Sequence, residues 1–377
     1  MVAEKINISI LHIIMGYYPR VGGAERQAQI QAETQASMGH KVDVFTQRTA
    51  NTKRFEIKNN IFIRRYGFPG IWAAREVTSF IIIISLLFNY KKYDIIQVHQ
   101  AHFLAFLVSL FCFCFKIPCF IKVANSGIKF DLKVLIERYS LGSLILKIML
   151  KSKPKYIAIS RSIMDELIEY GVNKNSIYQI PNGVKVNYSS YTDIPNHEDN
   201  KGIKKVVFVG RLEKIKRPLF FIEIASLFNE NVEFHLYGNG TLYDEVITYI
   251  DNLSLINCFA HGTVNNVSKI LKSSDILILP SLTEGMSNSI LEALAHGVPI
   301  IASQIPQNKY LVSDNDKDSA GLLTKSNNPC DWKILIDNLL KDECAYNNLS
   351  KNAFHKSLEY DIKLVTQKYI NLYLIHL

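Results

Sequence analysis

Two tryptophans, six cysteines and eleven prolines in 377 residues leave several classes of protein out. Cys112, Cys114, Cys119, Cys258, Cys330 and Cys344 form no CxxC pair and keep no histidine at zinc spacing, so neither a disulfide framework nor a structural zinc site is expected. No GxxxxGKS/T loop and no GxSxG elbow occurs, which argues against a P-loop kinase or NTPase and an α/β-hydrolase. "GNGTLY" offers Gly238 and Gly240, but Tyr243 stands where a dinucleotide-binding turn keeps its third glycine. His99 and His102 lie three apart with no third ligand at metal spacing, so no metal ion is expected. No helix-turn-helix, zinc-finger or RNP-like pattern points to nucleic acid. The opening "MVAEKINISILHIIMGYYP" lacks a small-residue cleavage site and alternates like a first strand, which favours the cytoplasm over secretion.

Long apolar runs are also few. "FIIIISLLF" (80–88) and "FLAFLVSLFCFCF" (103–115) stand out, and the longer, as a helix, would cover only about 20 Å of a bilayer core of roughly 30 Å. Both are read as buried helices of a large core. Shallow docking to a membrane is the other reading.

The chain is longer than one core usually serves, which predicts two domains. Their charges differ: residues 1–190 hold 25 Lys+Arg against 12 Asp+Glu, and residues 191–377 hold 18 against 22. A basic half suits an anionic partner such as a membrane surface. Strand-like and helix-like segments alternate throughout, which predicts parallel strands joined by crossover helices. The polar, turn-rich "YSSYTDIPNHEDNKG" interrupts the series once. Residues 1–188 are therefore assigned to a first α/β domain, 189–202 to a linker and 203–360 to a second. Residues 361–377 are read as an amphipathic terminal helix, apolar at Ile362, Val365, Tyr369, Leu372 and Tyr373, that packs across the domains.

Open α/β sheets bind ligands where strands feed loops. After the buried strand "DILILP" comes "SLTEGMSNSILEALAHGVP", which places Glu284 in such a loop and Glu292 in the helix that follows. Ser289 to Glu292 spells S-x-x-E, so Glu292 also fits a helix-capping glutamate. Glu284, beside a glycine, is neither core nor cap. Gly285, Met286, Ser287 and Asn288 offer backbone N–H groups suited to phosphate or sugar oxygens. "FVGRLEKIKRP" delivers Gly210, Arg211 and Lys216 to a second strand end, where cations can hold a diphosphate. Gly22 and Gly23, after the first strand, would let the backbone approach a ligand.

Taken in order, "GGAER", "YIAIS", "IPNGV", "FVGRLEKIKRP", "LYGNG", "HGTV" and "PSLTEGMSNSILEALAHGVPIIAS" resemble the retaining glycosyltransferases of family 4 along nearly the whole chain. The resemblance implies the GT-B fold, two tandem Rossmann-like doubly wound domains facing a cleft, with a C-terminal helix crossing back to the first. It implies a metal-independent hexosyltransferase without cofactor. Such an enzyme moves a sugar from a nucleotide donor, UDP-linked most often, to a hydroxyl of a growing, lipid-linked surface glycan of the lipopolysaccharide or capsule kind. It also implies peripheral attachment to the inner face of the cell membrane. Glu284 and Glu292 match the family's E-x7-E pair. By that match Glu284 lies against the donor sugar, Glu292 takes the ribose hydroxyls, and Gly285 to Asn288 cradle sugar and phosphate. Arg211 and Lys216 would grip the departing diphosphate beside Gly210, with Gly22 and Gly23 facing the same group. Many relatives hold a histidine near the donor sugar where "FIKVANSG" has Asn125; His99 or His102 is the alternative for that contact. A nucleotide-sugar epimerase of the same architecture, or a non-catalytic partner of another transferase, would be the competing functions.

Overall fold

A computed structural model describes residues 7–20, 22–68, 74–188, 202–229, 231–313 and 318–377. The chain forms two compact units, residues 1–183 with 362–377, and residues 184–361. Apart from Gly202, the predicted linker lies outside the described residues.

In the first unit the chain runs β1 (Ser9–Ile14), α1 (Gly23–Ser37), β2 (Lys41–Gln47), β3 (Phe55–Lys58), β4 (Ile61–Tyr66), α2 (Ala74–Asn89), β5 (Ile95–His99) and α3 (Phe103–Phe115). It continues through β6 (Cys119–Val123), α4 (Asp131–Arg138), α5 (Gly142–Lys151), β7 (Lys155–Ala158), α6 (Arg161–Glu169) and β8 (Ile177–Gln179). The sheet order is β3-β4-β2-β1-β5-β6-β7-β8. Every pairing is parallel except β3 with β4; the crossovers are helical apart from β2 to β4, which passes through β3, and β1 marks the point where strand order reverses. The hairpin of β3 and β4 turns at Asn59 and Asn60, both at positive φ, as a two-residue turn of the primed kind requires. Alternation alone did not reveal β3. Two helices rather than one join β6 to β7, and Gly142, which opens the second, packs so closely on the Ile136 backbone that no side chain fits there.

In the second unit the order is β9 (Lys204–Val209), α7 (Pro218–Ala225), β10 (Val232–Tyr237), α8 (Tyr243–Asn252), β11 (Cys258–Ala260), α9 (Val267–Leu271) and β12 (Ile276–Leu279). Then come α10 (Asn288–Leu294), β13 (Ile300–Ser303), α11 (Pro306–Val312), β14 (Gly321–Thr324), α12 (Pro329–Lys341) and α13 (Glu343–Leu358). This sheet is ordered β11-β10-β9-β12-β13-β14 and is wholly parallel, with its reversal between β9 and β12. Parallel strands buried on both faces should be apolar throughout, and Phe208, Phe234, Ile276 and Ile278 meet Phe221 and Trp332 in one core.

The last helix, α14 (Ile362–Ile375), belongs to the first unit. Val365, Tyr369, Leu372 and Tyr373 pack on Ile8, Ile10, Ile95 and Phe120. That contact is not uniformly apolar. Gln27, Gln31 and Gln35 recur one turn apart on α1 and all point inward. His12 Nδ1 lies 2.9 Å from His99 Nε2, and His12 Nε2 lies 2.6 Å from Gln35 Oε1. Gln31 donates to Gln97 Oε1 at 3.1 Å, and the Tyr373 hydroxyl donates to the same oxygen. Lys122 is buried with its Nζ 5.5 Å from the Tyr369 ring centre, and no carboxylate pairs with it among the described residues. Burial brings His12 down to about 4 and Lys122 down to about 7, and burial together with His12 and Lys122 holds His99 well below its ordinary value.

Among the described residues no helix is long and apolar enough to cross a membrane. The two apolar runs became α2 and α3, yet they are buried on one side only. Phe80, Ile84, Leu87 and Phe88, then Leu110, Phe113 and Phe115, are exposed, which corrects the expectation of buried helices.

Candidate active site

Two loops meet at the reversal point of the second sheet, one after β9 and one after β12. The Leu282 amide donates to the Ile215 carbonyl at 2.9 Å, which ties loop to loop through backbone. On this frame Lys216 Nζ contacts Glu284 Oε1, with the two side chains only 17% and 6% exposed. The strand ends therefore bring together the two residues expected to bind donor. An ammonium and a carboxylate removed from water hold each other in place only when paired, so each orients the other.

The glycines of "GNG" explain how the β9 loop is supported. Gly210 and Leu212 donate to Tyr237 and Asn239 carbonyls at 3.0 and 3.1 Å. Gly238 has φ +142°, and a Cβ there would run into the Gly210 carbonyl; one at Gly240 would run into the Leu212 backbone. These glycines serve close backbone packing. Gly238→Ala is expected to destabilise the protein by about 2 kcal/mol, measured by urea unfolding, and an unchanged midpoint would refute this packing role.

Helix α10 starts earlier than the S-x-x-E pattern suggests. Its cap is Ser287, whose hydroxyl accepts from the Ile290 amide at 3.3 Å, and Ser289 lies inside the helix. The position that a capping box gives to glutamate is therefore Ile290, and Glu292 sits two residues further on. The capping-box reading of Glu292 is corrected. Met286 and Ser287 are buried, while Gly285, Asn288 and Glu292 are half-buried. His296 closes the helix, its ring 2.7 Å from the Glu292 carbonyl and 2.6 Å from Ser268 Oγ.

Arg211 stands apart from the pair: its side chain is 58% exposed and donates to Glu213 at 3.0 Å.

The first unit holds the remaining candidates at the ends of its own strands. Gly22 precedes α1 with extended backbone, and the Glu25 carboxylate fills the space a side chain there would need, within 3.6 Å of Arg20. As it stands, the turn carries a negative group where a diphosphate was expected. Gly23 opens α1 itself. Asn125 follows β6 and donates to Asp131 Oδ1 at 2.7 Å. Asp131 is fully buried and also accepts from the amides of Ala101 at 3.0 Å and Ala124 at 3.4 Å, so one carboxylate joins the loops after β5 and β6. Its sequence signal, an acid opening a helix, is too common to single it out. His99 is spent on the buried histidine and glutamine network, whereas Asn125 is half-buried in a loop. The geometry thus favours Asn125 over His99 for a ligand contact. Among the described residues no three His, Cys, Asp or Glu side chains gather in a metal-binding group.

Comparisons with known proteins agree on one family. The family model described as Glycosyl transferases group 1 matches residues 191–356, and the one described as Glycosyltransferase Family 4 matches residues 21–188. The UDP-Gal:alpha-D-GlcNAc-diphosphoundecaprenol alpha-1,3-galactosyltransferase of Escherichia coli is 30% identical over 313 residues, 76% of this chain and 76% of that protein. The N,N'-diacetylbacillosaminyl-diphospho-undecaprenol alpha-1,3-N-acetylgalactosaminyltransferase of Campylobacter jejuni is 28% identical over 255 residues, covering 64% of this chain and 65% of its own. In fold, Anabaena HepE in complex with UDP and glucose superposes with a TM-score of 0.73 at 15% identity, over 97% of this chain and 99% of that one.

Proposed function

The chain belongs to the family 4 glycosyltransferases, and from that premise we propose that it moves a sugar from a UDP-linked donor to a hydroxyl of a lipid-linked glycan in surface-polysaccharide synthesis. The observation that carries this reading is the Lys216–Glu284 pair at the reversal point of the second sheet. The Escherichia coli relative is named for UDP-Gal and a diphosphoundecaprenol-linked acceptor, which supports donor and acceptor class together.

In this reading Glu284 receives hydroxyls of the donor sugar, Glu292 the ribose, and the amides of Gly285 to Asn288 the oxygens between them. Lys216, aided by Arg211, faces the diphosphate beside Gly210. As the anomeric carbon–oxygen bond breaks, the leaving nucleoside diphosphate gains negative charge, so a fixed cation helps the transition state more than the ground state. The acceptor oxygen bonds to the anomeric carbon on the face the diphosphate leaves. Its proton passes to a phosphate oxygen, and configuration is retained. Lysine and arginine supply the charge, and the reaction proceeds without an added metal ion or cofactor. A lipid-linked acceptor puts the enzyme on the cytoplasmic membrane face as a peripheral protein.

Thermal unfolding with chelator and a panel of nucleotides and nucleotide sugars tests this. A ligand at one hundred times its dissociation constant adds about 2.7 kcal/mol, so UDP and one UDP-sugar should raise the melting temperature of the wild type and do so far less in Glu292→Ala. Donor incubated without acceptor should stay unchanged, since conversion to another sugar would mark an epimerase. No response to any nucleotide would overturn the reading.

A further inference from the structure

Arg217 adopts φ +54° and ψ +53°, the left-handed region, although it carries a side chain and precedes Pro218. Left-handed backbone is disfavoured roughly tenfold for such a residue, and the following proline draws it towards extended backbone instead. The residue stands at a junction. Its amide closes the turn over Lys214–Lys216 on the Lys214 carbonyl at 3.2 Å, and its carbonyl accepts from the Phe221 amide at 3.4 Å as α7 begins. The backbone at Arg217 therefore sets how the turn that carries Lys216 meets the helix behind it.

The side chain of Arg217 is held at two points. Its guanidinium carbon lies 4.0 Å from the centre of the Phe220 ring, and its Nη1 donates to Asn327 Oδ1 at 2.8 Å. Both holds are themselves fixed. Phe220 is buried edge-on against Trp332, ring centres 5.6 Å apart, and the Trp332 indole N–H donates at 2.9 Å to the carbonyl of Ser326, the residue before Asn327. A cation lying on an aromatic face and bonded at its rim resists rotation, so the clamp offsets the unfavourable backbone beneath it. We propose that Arg217 is a positioning residue for transfer: clamped between α7 and the loop from β14 to α12, it keeps the left-handed turn that aims Lys216 at Glu284 and at the departing diphosphate. In this role the guanidinium acts on its own backbone and does not meet the donor.

The inference rests on the assignment of Lys216 to the diphosphate, and two readouts keep the questions apart. Arg217→Ala removes the clamp, and its kcat for transfer should fall about tenfold. Arg217→Gly also lacks the guanidinium but enters the left-handed region freely, so its kcat should stay within about twofold of wild type. Asn327→Ala, on an exposed loop, removes one hold; it should lower kcat about two- to threefold in the wild-type chain and leave Arg217→Gly unchanged, and an equal loss in both would sink the proposal. Urea unfolding gives the readout that needs no activity. The coupling of Lys216→Ala with Glu284→Gln in a double-mutant cycle should be present in wild type, lost in Arg217→Ala and restored in Arg217→Gly. Equal kcat losses in Arg217→Ala and Arg217→Gly would overturn the positioning role, because the guanidinium would then serve the donor directly. Full activity in Arg217→Ala, or a coupling that no change at this position alters, would overturn it as well. A wild type that responds to no nucleotide, with the coupling lost and restored as stated, would refute the transferase reading and leave Arg217 as the residue that sets Lys216 on Glu284.

Discussion

Lys216→Ala is expected to lower kcat for sugar transfer by about 10²–10³-fold, the loss usual when one fixed electrostatic group facing a transition-state charge is removed. The same change should cost stability. Glu284 is 6% exposed and would keep a buried carboxylate without its cation, a loss of roughly 2–3 kcal/mol. The two effects separate in a double variant. Lys216→Ala/Glu284→Gln removes charge along with partner, so it should regain most of the stability and none of the activity. Steady-state kinetics and urea unfolding of the three proteins measure both. Full activity in Lys216→Ala would remove this lysine from the site; equal stability losses in single and double variants would mean that the pair is not coupled.

Lys122→Met is expected to raise stability at pH 7 by about 1–4 kcal/mol, because it replaces a buried amine that has no carboxylate partner among the described residues. The sign follows from protons. Burial brings the folded-state value of Lys122 from 10.5 down to about 7, so the unfolded chain takes up a proton first as pH falls. Wild type therefore loses stability between pH 10.5 and 7 through this group, and the loss stops below 7, where the folded form is protonated too. The advantage of the variant should be full at pH 7 and shrink steadily towards pH 10. His12, at about 4, and His99, also depressed, then remove stability as pH drops below 6.5 in both proteins. Thermal unfolding across pH 5–10 reads the difference, and parallel curves for the two proteins would show that Lys122 is charged when folded.

Much of this architecture is legible in the linear pattern, because parallel strands demand apolar runs and crossovers demand helices. The loops after "FVGRL" and "DILILP" stand out for the same reason: a buried strand ending in glycine or charge has few purposes. Other features depend on partners far along the chain. The α10 cap is decided by which serine meets the Ile290 amide, and that is Ser287, although S-x-x-E singles out Ser289. In an all-apolar segment such as 103–115, periodicity vanishes, so no pattern tells which side of α3 meets β5 and which meets solvent. His12, Gln35, Gln97 and His99 satisfy each other across distant segments, and a lone polar residue in a strand gives no hint of that network. The Lys216–Glu284 contact likewise joins residues that only the strand order makes neighbours.

The placement of α14 has a consequence for synthesis. The ribosome releases residues 1–183 first, but the helix that completes their unit follows about 180 residues later, an interval of roughly 10–40 s at ordinary elongation rates. Through that interval Ile8, Ile10, Ile95 and Phe120 lack their cover, on a face that an unrelated nascent chain could occupy. The histidines, glutamines and Lys122 set into the same face break it into small apolar islands. Polar groups set into that face thus narrow what a neighbouring chain can cover before α14 arrives.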